Sequence, residues 1–264
     1  MIRRALASEW TKLRSVRSTR WSLLATVALS ITASGLICAS SSTDSCLPGT
    51  KGCDDDLVGL SLGGVYLGQM AVVVLAVTAI GSEYATKMIR TTLTATPRRR
   101  AVLSAKAAVV AVLVLGVGLV TSVTSFYVGQ ALLSGGGYTA AAGYPTPALG
   151  DGPTLRAVVG SGLYLAVLAL FSLGIAAILR HTAAAIATVL GLLWFPIIPI
   201  SVLPPDVGLQ VAKFCPMTAG LAIQRTVERA DSVPIAPVAG FGVFCAYACA
   251  ALIGAMWQIK ARDA

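Results

Sequence analysis

Charged side chains are scarce in this chain: Asp, Glu, Lys and Arg make up 12% of its 264 residues, against about 25% in an ordinary soluble domain. That deficit excludes a conventional water-facing surface over most of the length. Histidine occurs once, at His181, which excludes a His-pair metal centre. The single histidine reads as an interfacial turn residue, because a titrating relay needs partners. The Gly-x-x-x-x-Gly-Lys-Ser/Thr pattern that cradles phosphates is missing. No zinc-ligand spacing occurs either, so we expect no metal, no cofactor and no catalytic group, and the chain is not read as an enzyme. Any ATP-driven work must use an ATPase on another chain. A second domain, a long linker and an internal repeat are lacking too, leaving a single unit over residues 1–264.

What the chain has in abundance is apolar length. Hydrophobic residues make up 56% and the mean hydropathy is +0.81. About 20 mostly apolar residues cross ~30 Å of hydrocarbon at 1.5 Å of rise each. Six runs meet that need, at about 21–39, 57–80, 107–133, 155–179, 183–203 and 235–259. They are apolar on all sides, whereas a barrel strand would alternate. The backbone must satisfy its own polar groups in lipid, which selects helices. The expected fold is therefore all-α, with six transmembrane helices.

Segments between the runs have their own character. Residues 1–20 carry six basic side chains. Ile2, Leu6, Trp10, Leu13 and Val16 between them share one helical face. This predicts an amphipathic elbow helix in the headgroup region. The run that follows reads as an uncleaved anchor, not a signal peptide, because its charged leader is too long. Pro196 and Pro199 predict a kinked or broken fifth span. Residues 206–234 are too polar to cross, yet Val207–Val227 keeps a helical pattern, which predicts an outer re-entrant segment before the last span.

Charge orients the protein. With a cytoplasmic start, fifteen of the 20 basic residues fall on inner segments, and only Lys51, Arg156, Lys213, Arg225 and Arg229 fall outside. This follows the positive-inside rule and predicts cytoplasmic N- and C-termini in the plasma membrane. On a soluble protein the net charge of +9 would point to nucleic acid; here it reads as inner-face charge, with no nucleic-acid partner. No acidic or basic residue falls near the middle of a predicted span, which argues against a proton-coupled carrier.

Six cysteines are present. Cys38, Cys245 and Cys249 read as soft packing residues within spans. Cys46 and Cys53 flank a turn-rich outer loop in an oxidising compartment, where a disulfide is one open pairing.

The inner loop GSEYATKMIRTTLTATPRRRAVLSAK, from Gly81 to Lys106, is organised beyond its charge. Tyr84 and Met88 lie a helical turn apart, with Thr91 or Thr92 and Leu93 beyond, and Pro97 ends the pattern. Glu83 precedes Lys87 by four residues, the favoured order for a helical ion pair. This describes a short amphipathic helix at the cytoplasmic surface.

With its opening SEWTKLRSVRSTRWSLL, this loop resembles the permease subunits of type-2 ABC exporters, of the kind common in actinobacteria. The likeness covers nearly the whole chain. It rests on Glu83, the run Ile89-Arg90-Thr91-Thr92-Leu93, and the Pro97-Arg98-Arg99 turn. It implies a cytoplasmic coupling helix pressed by separate ATP-binding cassette subunits, which would hold ATP and Mg. It also implies a second permease subunit, identical or not. Glu83, Tyr84, Lys87, Met88, Ile89, Arg90 and Leu93 would then form the ATPase-coupling loop. Arg98, Arg99 and Arg100 suit anionic lipid. A secondary transporter or channel, and a non-transporting membrane scaffold, stand as the other readings. The Ala-, Val-, Leu- and Gly-rich spans lean toward an apolar or amphiphilic cargo.

Overall fold

The computed structural model describes residues 2–41, 56–85, 99–195, 197–228 and 233–261. Among them every regular element is helical. Five helices are long and apolar enough to cross a membrane.

The first helix, α1 (Ile2–Ser15), ends at Val16, whose extended backbone (φ −78°, ψ 119°) separates it from α2 (Arg17–Ser40). The first span thus starts a turn earlier than its apolar run. The second run begins with α3 (Leu57–Leu62), capped by Asp56, and continues as α4 (Val65–Ala85). The two are offset at Gly63 and Gly64. A Cβ on Gly64 would collide with the Ser30 carbonyl, and one on Gly68 with the Ser30 hydroxyl. Gly64 and Gly68 therefore let α4 approach α2 backbone to backbone, against Thr26, Ser30 and Ser34. This is small-residue packing, which substitutes for the hydrophobic effect when lipid is as apolar as the helix.

The third run forms α5 (Arg99–Gly135), longer than expected at its start. The fourth forms α6 (Gly152–Leu179). Gly118 of α5 faces Gly162 of α6, where an added Cβ would lie 3.2 Å from the Gly162 Cα. Arg180, with φ 54°, ends α6 in the left-handed region. His181 then caps the next helix, its Nδ1 accepting from Ala184 N at 3.3 Å.

The expected fifth span is divided. α7 (Thr182–Trp194) stops before Pro196, and α8 (Ile197–Val202) follows. Pro204 and Pro205 turn the chain into α9 (Pro205–Ala212), and α10 (Pro216–Leu221) runs into a 3-10 turn at Ala222–Gln224. The last span is α11 (Pro237–Ala261).

α4 and α6 form the centre, with 72% and 67% of their apolar windows buried, while α2 and α11 bury 28% each and flank the bundle. α6 packs along α4, α5 and α11; α2 packs on α4 and α5; α7 packs on α4 and α6. Tyr164, Phe171 and Phe244 fill the middle of the core.

Candidate functional site

Three groups of polar contacts and one apolar cavity lie along the bundle axis. At the end holding α1, the Glu9 side chain is 2% exposed and, with Leu13, forms the buried side of that helix. Its two carboxylate oxygens are separately occupied. Lys106 Nζ of α5 donates to Oε2 at 2.5 Å, and Lys12 Nζ donates to Oε1 at 2.8 Å. Lys106 is itself buried. Burial alone would push the Glu9 carboxyl up. The Lys106 charge and hydrogen bond, with those of Lys12, outweigh it and hold the group below the ordinary carboxylate value.

This pair fastens α1 to the base of α5. Of the residues expected to couple to an ATPase, Glu83 and Tyr84 continue α4 in its final turn; of the three arginines expected against anionic lipid, Arg99 and Arg100 form the first turn of α5. The other members, Lys87, Met88, Ile89, Arg90, Leu93 and Arg98, lie outside the described residues. So do Cys46 and Cys53. At the same end Gly81 abuts Thr182, so that an added Cβ would strike the Thr182 hydroxyl. The last turns of α4 therefore press on the first turn of α7.

In the middle, Tyr164 Oη donates to Gln69 Oε1 at 2.6 Å, and the Gln69 amide lies 3.4 Å from Met217 Sδ. Gln69 and Tyr164 are fully buried. These contacts join α4, α6 and α10, and bring the segment predicted as re-entrant into the core.

The far end is closed by Asp56. It caps α3 through Gly59 N at 2.8 Å, and accepts from Thr226 N at 2.8 Å and Thr226 Oγ1 at 2.7 Å. Beside it Arg156 donates to the Arg225 carbonyl at 2.6 Å. Arg225 in turn donates to the carbonyls of Val233, at 2.6 Å, and Ile235. The loop ahead of α11 is thereby tied to the starts of α3 and α6.

An apolar cavity of about 680 Å³ opens between α6, α7, α9, α10 and α11, with Phe171, Leu192, Phe195, Val211, Phe214 and Tyr247 among its walls.

Glu9, Gln69 and Asp56 were not singled out from sequence as site residues, though the first two carried a signal. Glu9 is the only acid before residue 44 and lies one turn from the apolar Leu13. Gln69 is the only amide in its run. The stretch Gly59-Leu60-Ser61-Leu62-Gly63 has the Gly-x-Ser-x-Gly spacing of a nucleophile elbow. Ser61 instead sits buried in a helix, donating to the Leu57 carbonyl at 2.8 Å, and is no exposed nucleophile. Among the described residues no cluster of three or more His, Cys, Asp or Glu is placed to hold a metal.

Comparison with known proteins gives one finding. The family described as ABC-2 family transporter protein matches residues 5–193. No curated protein and no solved structure matches the chain.

Proposed function

The chain belongs to the ABC-2 family of transporter proteins and is a permease component of an ABC transporter; from that premise we propose that it lines an export pathway driven by separate ATPase subunits. The observation that carries this reading is the pair of helices that bracket residues 86–98. α4 continues to Ala85, past the apolar run that ends near Ile80, and α5 begins at Arg99, ahead of the apolar run that starts near Ala107. Force on the intervening residues would pass straight into α4 and α5. Glu9 and Lys106 add α1 to the same lever.

In this reading Glu83, Tyr84, Lys87, Met88, Ile89, Arg90 and Leu93 meet the ATPase, which supplies ATP and Mg. Arg98, Arg99 and Arg100 rest against anionic lipid on the inner face. Both termini face the cytoplasm, supported by the distribution of basic residues. A second membrane subunit completes the pathway, supported by the thinly covered faces of α2 and α11. Six crossings result when α7 and α8 are counted together. Likeness of the opening segment to actinobacterial members supports that type.

The test is extraction in mild detergent and isolation of the complex. An ATPase subunit should copurify, and Glu83→Ala should reduce its membrane-stimulated turnover several-fold while leaving insertion intact. Recovery of the chain without any nucleotide-hydrolysing partner would overturn the reading.

A further inference from the structure

Lys213 lies in the segment read from sequence as outer and re-entrant, and helix lengths measure its depth. The Phe214 carbonyl accepts from Tyr247 Oη at 3.0 Å. Tyr247 lies ten residues inside the Pro237 end of α11, or about 15 Å at the helical rise. Phe171, on the same cavity, lies eight residues inside the opposite, Leu179 end of α6, or about 12 Å. Counted from both ends, Phe214 and the cavity fall near the middle of a layer about 30 Å thick.

Lys213 is half-buried there. Its Nζ donates to Gln210 Oε1 at 2.6 Å and lies 5.1 Å from the centre of the Phe214 ring. Gln210 and Phe214 both line the cavity, and Phe214 is 56% exposed. Among the residues whose side chains are described, which exclude Asp206, no carboxylate pairs with this ammonium. A cation at this depth is costly against hydrocarbon, and such groups face water, cargo or protein. The cavity volume lies in the ~300–1,000 Å³ range of sites that hold a small molecule. Its walls are almost wholly apolar, with one cation at the rim.

We propose that this cavity and Lys213 form a binding site for an amphiphile with an apolar body and an anionic head. The site lies on the export pathway. This deepens the permease reading and rests on it for the word export, though binding itself does not. The apolar body packs among Phe171, Leu192, Phe195 and Val211, and the head meets Lys213, with Gln210 positioning the ammonium.

The test uses the full chain with its copurifying subunits in vesicles, and two photoactivatable twelve-carbon probes, a carboxylate and the matching amine. Labelling is normalised to the exposed face of α5 at Val112, Val120 and Tyr127. The carboxylate should label Leu192–Cys215 and Tyr247–Ala251 well above the amine. Lys213→Gln should cut that labelling about tenfold, the scale of one charge-assisted contact, and Lys213→Arg should keep it. Ala250→Trp and Leu192→Trp, which fill the cavity from different helices, should each remove it. Equal labelling by both probes, an unchanged Lys213→Gln, or burial of Lys213 against a second copy of the chain would overturn the site. ATPase copurification is scored on the same samples. Retained ATPase with no effect at Lys213 sinks this site alone. Lost ATPase with selective labelling sinks the permease reading alone.

Discussion

Glu9 of α1 and Lys106 of α5, 97 residues apart, meet carboxylate to ammonium at 2.5 Å with both side chains shut off from solvent. Such a pair adds little over a well-packed apolar pair, but losing one member removes a counter-charge from the other in a buried setting, which is costly. Glu9→Gln or Lys106→Met alone should destabilise the protein by about 3–5 kcal/mol. The double change Glu9→Leu with Lys106→Met should recover most of the loss. Thermal unfolding in detergent measures both, and additive single effects would show that the two groups are not coupled.

Acid should act through the same contact. The Glu9 carboxyl is held below its ordinary value in the folded chain, so its stabilisation is complete at neutral pH. It is lost as pH falls below about 4.3, the ordinary value for Glu, and on through the lower folded value. Wild-type melting temperature should drop across that acid range more steeply than that of Glu9→Gln. Parallel pH profiles would remove Glu9 as the titrating group.

Gly64 offers a backbone test. Its missing Cβ is replaced by the Ser30 carbonyl of α2, which cannot rotate away, whereas Gly116 on α5 has open space at the same position. Gly64→Ala should push α4 from α2 and lower the melting temperature by several degrees. Gly116→Ala should leave it level or slightly higher, because alanine favours the helix by up to ~1 kcal/mol. Equal effects would mean that the α2–α4 approach is not tight.

Asp56 holds two segments at once. Asp56→Ala removes the α3 cap and both Thr226 contacts. The cost should be about 2 kcal/mol, with a cap alone accounting for ~1. Protease cleavage within residues 225–236 should accelerate in this variant, and no change there would separate the cap from the loop.

Much of the fold was legible because it follows from one quantity, apolar length. The run at 155–179 became Gly152–Leu179, and the one at 235–259 became Pro237–Ala261. The divided fifth run was legible too, since Pro196 removes a helical donor. Other features were not. The expected face of α1 included Trp10 and Val16, both 46% exposed, while the acid Glu9 is buried instead. Periodicity ranks residues by apolarity and has no way to anticipate a cation supplied from a distant helix. Lys213 falls in the segment read as re-entrant, but its packing was not legible, because it depends on tertiary contacts such as Tyr247 with Phe214. The coupling role proposed for Lys87–Leu93 comes from resemblance to a family, and these residues lie outside the described ones.

The tie between Asp56 and Thr226 also sets a clock. Its partners are 170 residues apart, and at ~5–20 residues per second a ribosome needs on the order of 10–30 s to deliver the second after the first. Until then the carboxylate has only its local partner, Gly59 N. The crown of the protein therefore closes only after five of the six apolar runs have been synthesised.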